Sequence, residues 1–385
     1  MTNYQVIWQG PIHRASGIGK ASREYALALS RQGVNVKVLT NMKTQRTNTA
    51  ALNPLIKKPY ARNKRKVLIY HHSPNTINMQ KERKRFTYII LNTVWETTKI
   101  PNNWFPNINK FDAVIVPSLQ NKNALINSGV KVPIYIVPHG VYANQFKPAN
   151  PKLSIKNTEG KFVFISVFGF QHRKNPETLL RAYWKEFSQK DKVILVIKTN
   201  GYRRHETHKW IEKQISAYKK QLGFGARTAP IVILTGFKNL NQLKGLYTRG
   251  NAFVLPTRGE GVGLPFLESL ASGVPVITTR WGGHMDFLTN RNAFLLDYKL
   301  KRPAISMNSR HAISQKFRYL FAQKGQLWAE PDIHSLKKQM RYAYAHPGVC
   351  RKKGQQGRKD ILKLSWNRAG ITMKKAIEKV IREKR

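Results

Sequence analysis

Phe253-Val-Leu-Pro-Thr-Arg-Gly-Glu-Gly-Val-Gly-Leu-Pro-Phe-Leu-Glu-Ser-Leu270 is the stretch whose reading decides the fold. It opens as a short apolar run, the pattern of a buried strand. Pro256 ends that run, glycines follow at Gly259, Gly261 and Gly263, and the chain restarts as a helix at Leu264. Pro265 suits a first helical turn, where its missing N–H would be unpaired anyway. Free N–H groups at such a start, with the helix dipole behind them, favour an anion. Glycines let the backbone come close to it. Glu260 and Glu268 frame the loop with seven residues between them. Glu268 lies about one turn into the helix, so its carboxylate can return toward the loop. Backbone N–H groups for phosphate, beside carboxylates for hydroxyls, describe a site for a nucleotide sugar, with Gly261, Val262, Gly263 and Leu264 as its backbone wall.

Gly273-Val-Pro-Val-Ile277 and Trp281-Gly-Gly-His284 follow directly. With them, the Glu260/Glu268 spacing resembles the signature of retaining glycosyltransferases of family 4, which have the GT-B fold. The resemblance implies two Rossmann-like α/β domains with parallel sheets facing across a cleft, and a C-terminal helix crossing back to the first domain. It implies transfer of a sugar from a UDP-, GDP- or ADP-sugar to a hydroxyl acceptor with retention of anomeric configuration. It also implies a role in cell-surface or envelope glycan synthesis. No metal or other cofactor is expected.

The family places an Arg and a Lys after the first strand of the second domain, against the leaving diphosphate. Here that strand ends in Phe168-Gly-Phe-Gln-His-Arg-Lys-Asn-Pro176. Lys174 matches the family Lys. Phe170 stands where the Arg is usual, and Arg173 is read as taking that role. Glu268 corresponds to the carboxylate that holds the ribose, and Glu260 to the one that faces the donor sugar. The first-domain loop Gly10–Gly19 corresponds to the family's glycine loop near the donor phosphates, with Gly17 and Gly19 as its donor-side glycines and Ser16 in place of the first glycine. Gly17-x-Gly19 lacks the third glycine of a dinucleotide fingerprint, that position being Ser22. The family's His-Asp pair after the fourth strand becomes Trp95-Glu96. Glu96, or His71 and His72 at the preceding strand end, is left to orient the acceptor. Pro138-His-Gly-Val-Tyr142 resembles the family's Pro-Asn-Gly-Val-Asp turn.

The remaining chain reads as two rounds of alternation, which predict parallel sheets. Strands are expected at 6–8, 34–39, 67–70, 88–91, 113–116 and 134–137, then at 162–167, 193–197, 231–234, 252–255, 274–277 and 294–296. Domains are expected at 1–150 for the acceptor, 151–364 for the donor, and a helix at 365–385 packing back on the first. Residues 41–65 read as a surface loop and 298–326 as an irregular insertion, and Trp328-Ala-Glu-Pro-Asp332 opens a helix, with Asp332 as its N-cap, that runs to about His346. The last helix is basic and amphipathic, with Ile371, Ala376 and Val380 taken as its apolar face.

Charge is the outlying property. Lys and Arg total 68 against 19 Asp and Glu, a net charge of +49. Such a field draws polyanions. The basic residues are dispersed and carry no aromatic-basic module, so a specific nucleic-acid partner is not expected. An anionic membrane surface and a phosphate-bearing glycan fit the charge equally. The single Cys350 and an opening MTNYQVIWQG without signal-peptide character point to a cytoplasmic location, with a peripheral place on the inner membrane face left open. The expected partners are a nucleotide-sugar donor and a hydroxyl-bearing glycan, lipid or protein. The competing reading is a non-catalytic GT-B-like protein that binds an anionic polymer, nucleic acid or phosphate-bearing glycan. An epimerase or phosphorylase is a third, and the chain shows no Lys motif for a pyridoxal cofactor.

Overall fold

A computed structural model describes residues 3–40, 49–236, 239–314 and 316–384. Two compact units emerge: Met1–Gly140 with Leu364–Arg385, and Val141–Lys363. The first unit ends ten residues short of the expected boundary at 150. The reason is local: Phe146 packs edge-on against Tyr247 at 5.9 Å, and the Leu153 amide donates to the Gly245 carbonyl at 2.8 Å. Residues 141–153 are thereby part of the second core.

In the first unit, strands β1 (Tyr4–Gln9), β2 (Asn35–Leu39), β3 (Arg65–Tyr70), β4 (Tyr88–Asn92), β5 (Ala113–Val116) and β6 (Ile134–Ile136) form one parallel sheet in the order β2-β1-β3-β4-β5-β6. Runs such as Val67-Leu-Ile and Ile89-Ile-Leu are buried on both faces, which is why they are continuous and not alternating. The order reverses direction between β1 and β3. Loops there part to opposite sides of the sheet and leave a crevice. Gly10–Gly19 and His71–His72 leave from those two strand ends.

The second unit repeats the device. Strands β7 (Phe162–Gly169), β8 (Val193–Asn200), β9 (Ile231–Leu234), β10 (Ala252–Leu255), β11 (Val276–Thr279) and β12 (Ala293–Leu296) pair in the order β12-β11-β10-β7-β8-β9, all parallel. That is the doubly wound arrangement, with its switch point between β7 and β10. Both stretches that carry the candidate donor residues start from those two neighbouring strands.

Three expectations are corrected. Of the loop expected at 41–65, residues 41–48 lie outside the described ones; Ala50–Leu52 and Asn53–Lys57 are helical, and Leu52 and Leu55 are buried. The 298–326 insertion is not wholly irregular. β13 (Tyr298–Lys301) pairs antiparallel with β14 (Trp328–Pro331), and short helices occupy Pro303–Met307 and Arg318–Phe321. Trp328 therefore opens a strand, while the helix Ile333–Ala345 starts behind Asp332 as expected, the Asp332 side chain accepting from the Ser335 amide at 2.7 Å. A further helix, Pro347–Ile361, follows.

The Trp366–Glu383 helix packs on the Gly17–Arg31 helix. Its buried face is Trp366, Ala369, Gly370, Met373, Ala376, Ile377, Val380 and Ile381. Ile371 lies off that face and is 38% exposed, because it is one residue out of the i, i+3, i+4 register. The apolar face is thus occupied by the protein's own core. Among the described residues no helix is long and apolar enough to cross a membrane. Gly370 sits at the tightest approach: a Cβ there would lie 2.6 Å from the Ala28 carbonyl oxygen. Gly370→Val is expected to destabilise the first unit by about 1–3 kcal/mol through overpacking. Ile371→Ala is expected to stay within about 0.5 kcal/mol. Denaturant unfolding of the two variants separates the cases.

Candidate functional site

β7 and β10 end side by side, and their loops are stitched together by backbone and charge. The Arg258 amide donates to the Arg173 carbonyl at 2.8 Å, and the Asn175 side-chain amide donates to the Pro256 carbonyl at 2.9 Å. Asn175 has a left-handed backbone (φ 61), and its side chain caps the Pro176–Glu186 helix. This fixes where Arg173 and Lys174 stand. On the other side Gly263 takes φ 84, a conformation that favours glycine, and a Cβ there would lie 2.4 Å from the Phe266 ring. Leu264–Ala271 can then start as a helix with Pro265 in its first turn.

Lys174, Arg173 and Glu260 are brought together. Lys174 Nζ donates to Glu260 Oε1, Thr257 Oγ1 donates to the same oxygen at 3.3 Å, and Arg173 Nη1 lies 3.7 Å from Glu260 Oε2. Arg173 also donates to the Gly259 carbonyl. Glu260 is only 5% exposed. Burial pushes its carboxyl up, but Lys174 and Arg173 outweigh that and hold it below the usual carboxylate range. It is ionised at neutral pH. Glu268 is buried one turn into the helix and accepts from the Tyr247 hydroxyl at 2.8 Å. Burial first, and the Glu268 charge second, push that phenol well above its ordinary range. Tyr247 therefore stays a donor and fixes the carboxylate's direction. Gly261, Val262, Gly263 and Leu264 are all buried in the loop between the two acids.

Several residues that pattern reading passed over belong to this corner. Arg258 is buried at its centre. It donates to the His172 carbonyl, pairs with Glu330 at 2.7 Å and with Glu177 at 3.4 Å, and lies over the Trp328 ring at 5.6 Å. Glu177 in turn holds His172 Nδ1 at 2.7 Å. Burial works against both carboxylates. For Glu177 it is outweighed by His172 and Arg258, and for Glu330 by Arg258, so both sit below the usual range. A sequence signal existed: Arg258 lies inside the signature loop, and an acid recurs at Glu330 in an otherwise apolar strand. Their pairing across 72 residues is invisible without the sheet. His284 is a second addition. Its Nε2 donates to the Thr279 carbonyl at 2.8 Å, so neutral Nδ1 carries a lone pair, and Nδ1 has no hydrogen-bond partner among the described residues. Burial lowers its pKa. The neighbouring Gly283 amide donates to the Glu260 carbonyl at 2.7 Å.

Phe170, at the family's Arg position, is a core residue edge-on to Trp210 at 5.9 Å. The remaining candidates lie in the first unit. Gly19 is required by packing, since a Cβ would lie 2.1 Å from the Arg14 carbonyl oxygen, whereas Gly17 has open space around it. Ser16, the departure from the family loop, caps the Gly19 amide at 3.3 Å. His71 is buried edge-on against Trp8 at 5.7 Å; burial, with His72 and His139 adding, pushes it down to about 3. It is neutral and sealed, which does not suit a group that must reach an acceptor. His72 is half-buried beside Tyr70 and is lowered by burial and then by Arg14. Glu96 is half-buried. Trp95, in place of the family His, pins its own loop by donating to Thr97 Oγ1 at 2.6 Å and the Lys99 carbonyl at 2.8 Å. Among the described residues no group of three or more His, Cys, Asp or Glu is placed to hold a metal ion.

Residues 150–320 match the family model described as glycosyl transferases group 1. Alpha-monoglucosyldiacylglycerol synthase of Streptococcus pneumoniae is 28% identical over 179 residues, covering 43% of this chain and 37% of that one. The chain spans less than two thirds of the first curated relatives it matches, 37%, 61% and 36% of their lengths. Solved structures cover more. Sucrose-phosphate synthase from Thermosynechococcus elongatus superposes with a TM-score of 0.68 at 15% identity over 98% of this chain and 100% of that one. Anabaena Alr3699/HepE, in complex with UDP and glucose, superposes with 0.65 at 12% identity over 98% and 100%. These structural likenesses show the fold, two parallel six-stranded α/β units of the GT-B type.

Removing Arg258 takes from buried Glu330 its main cation and from buried Glu177 the one that acts beside His172. Arg258→Met is expected to cost about 3–5 kcal/mol in denaturant unfolding. The pH sign follows. These carboxylates sit below their unfolded values, so their contribution is present at neutral pH and lost as pH falls through the folded values. Without Arg258 those values rise, and acid unfolding monitored by circular dichroism is expected to begin at higher pH than in the wild type.

Proposed function

We propose that this protein transfers a sugar from a nucleotide-diphosphate sugar to a hydroxyl acceptor with retention of anomeric configuration. The observation that carries the reading is the cluster of Lys174, Arg173 and Glu260 at the switch point, beside a glycine-initiated helix. When the bond between the anomeric carbon and the diphosphate breaks, negative charge grows on the leaving oxygen. Lys174 and Arg173 meet that charge, and the amides around Val262–Leu264 add to it; preorganised donors of this kind work without reorganising. No metal is needed in this scheme. Glu260, held ionised, faces the donor sugar's hydroxyls, and Glu268 holds the ribose. The acceptor hydroxyl attacks the face that the diphosphate leaves and gives its proton to the departing phosphate, so no covalent sugar–enzyme intermediate forms. The name of the pneumococcal relative, a glucosyldiacylglycerol synthase, supports an envelope glycan or lipid as acceptor. The Anabaena complex puts UDP-sugars first among donors to try.

Thermal unfolding against UDP-, GDP- and ADP-sugars tests the reading. At a concentration of 100 Kd a true donor stabilises by about 2.7 kcal/mol. Glu268→Gln keeps an oxygen for Tyr247 and removes the charge that would hold the ribose, and it is expected to abolish most of the shift. Absence of a shift with every nucleotide sugar overturns the proposal. With a donor in hand, Lys174→Ala is expected to lower kcat by ~10²–10³-fold, and the anomeric configuration of the product, read by NMR, decides retention.

A further inference from the structure

The insertion builds a cavity that the donor chemistry above does not use. It has a volume of about 1030 Å³ and lies in the second unit, between the 201–210 turn and residues 312–322. Arg203, Lys316 and Arg318 line it, with the rings of Trp210, Phe317 and Tyr319. One carboxylate, Glu206, shares the lining, but its Oε2 is already engaged by the backbone amides of Tyr202 and Arg203. Gly201 is what allows that clamp, since a Cβ there would lie 2.2 Å from Glu206 Cβ. Among the described residues, none of the three cations is paired with a carboxylate. Lys316 instead lies over the rings of Tyr202 and Phe317 at 5.6 and 5.7 Å.

The walls are built, not incidental. The Ile313 amide donates to Glu177 Oε1 at 3.1 Å, and Ser314 Oγ donates to the Phe170 carbonyl at 3.3 Å. Phe317 adopts a left-handed backbone (φ 64), rare for an aromatic residue, and meets Tyr202 edge-on at 5.2 Å. Tyr319 is left 74% exposed at the rim. Three cations around one hollow, none with a carboxylate partner among the described residues, favour an anion there. Guanidinium forks match the geometry of phosphate and carboxylate. Exposed aromatic faces in the same concavity suit the apolar faces of a flat, hydroxylated ring. The volume suits a small ligand or a short oligomer, and the cations ring a hollow where nucleic acid would call for a basic stripe.

We propose that this cavity binds an anionic saccharide, a sugar unit carrying phosphate or carboxylate. The site is coupled to the loop of Arg173. The Gln171 amide donates to the Tyr202 hydroxyl at 2.6 Å, and Phe321, from the same insertion, lies under the Arg173 guanidinium at 5.7 Å. The proposal stands on these contacts and does not depend on the donor reading.

Titration by calorimetry at near-physiological salt tests it, with glucose 6-phosphate, trigalacturonate, maltotriose and an eight-residue oligothymidylate as probes. One or both anionic saccharides are expected to bind, and which one binds tells phosphate from carboxylate. Maltotriose is expected to bind at least tenfold more weakly. Arg318→Glu and Tyr319→Ala are exposed changes that leave the core intact; Arg318→Glu is expected to weaken the anionic probe about tenfold or more, the size of one charge-assisted contact, and Tyr319→Ala to weaken it several-fold, about the size of a lost ring contact. Arg318→Lys is expected to recover part of the loss. Failure of both anionic saccharides to bind, equal binding of maltotriose, tighter binding of the oligonucleotide, or affinity unmoved in both variants would each overturn it. The nucleotide-sugar shift that depends on Glu268 reports separately, so the two proposals fail independently.

Discussion

Where β7 and β10 lie side by side, their chains leave toward opposite faces of the sheet, and the opening between them has to be closed by something other than apolar packing. This protein closes it with charge. Arg258 ties the two loops by its amide, ties His172 by its guanidinium, and reaches β14 through Glu330. Lys174 and Glu260 join the same loops a few residues further out. Everything placed at the switch point takes its position from those ties. Buried charges are costly to desolvate, and a pair repays that cost only with good geometry and further hydrogen bonds. Here the geometry is supplied by backbone carbonyls as much as by counter-ions, which is why Arg258 and Arg173 each donate to a main-chain oxygen.

An inner and an outer layer of charge result, with different consequences. In the inner group, Arg258 is met by Glu177, Glu330 and the His172 carbonyl, and these ties hold the shape of the corner. The outer group, Lys174 and Arg173 on Glu260, puts two cations against one carboxylate. Its local excess of positive charge is met in the resting protein by hydroxyl and carbonyl dipoles, and an incoming diphosphate would complete the balance. A low-dielectric corner magnifies that attraction. The cost of gathering like charges is met when the chain folds, before any ligand arrives.

The sheets were legible in the sequence because each buried parallel strand is a continuous apolar run bounded by loop residues. Positions such as 231–234 and 252–255 could be read to the residue. That Glu260 and Glu268 flank one loop could be read because glycine spacing constrains the backbone between them, whereas Lys174 was singled out by the family resemblance alone. What could not be read were contacts that depend on register. β13 and β14 are short, four residues each, and only their mutual pairing makes them strands. Ile371 looked like a core residue because hydrophobicity alone does not say which stripe of a helix turns inward; Gly370, at the tightest approach to Ala28, decides that. His71 carried the chemistry of a site but not its accessibility, since the Trp8 ring that covers it lies on another strand.

The net charge of +49 takes on a different sense once it is divided by location. Dispersed lysines on solvated faces cost little and bind weakly to any polyanion. Cations gathered in a concavity beside aromatic rings attract an anion more selectively than the same charges dispersed. Among the described residues, cations gather at the switch point, where two share Glu260, and in the hollow of the insertion, and the insertion touches both: Ile313 and Ser314 bond to Glu177 and Phe170, and Phe321 lies beneath Arg173. A ligand that displaces the insertion by a fraction of an ångström would move the aromatic ring on which a candidate catalytic guanidinium rests. Occupancy of one hollow would thereby bear on the charge balance of the other.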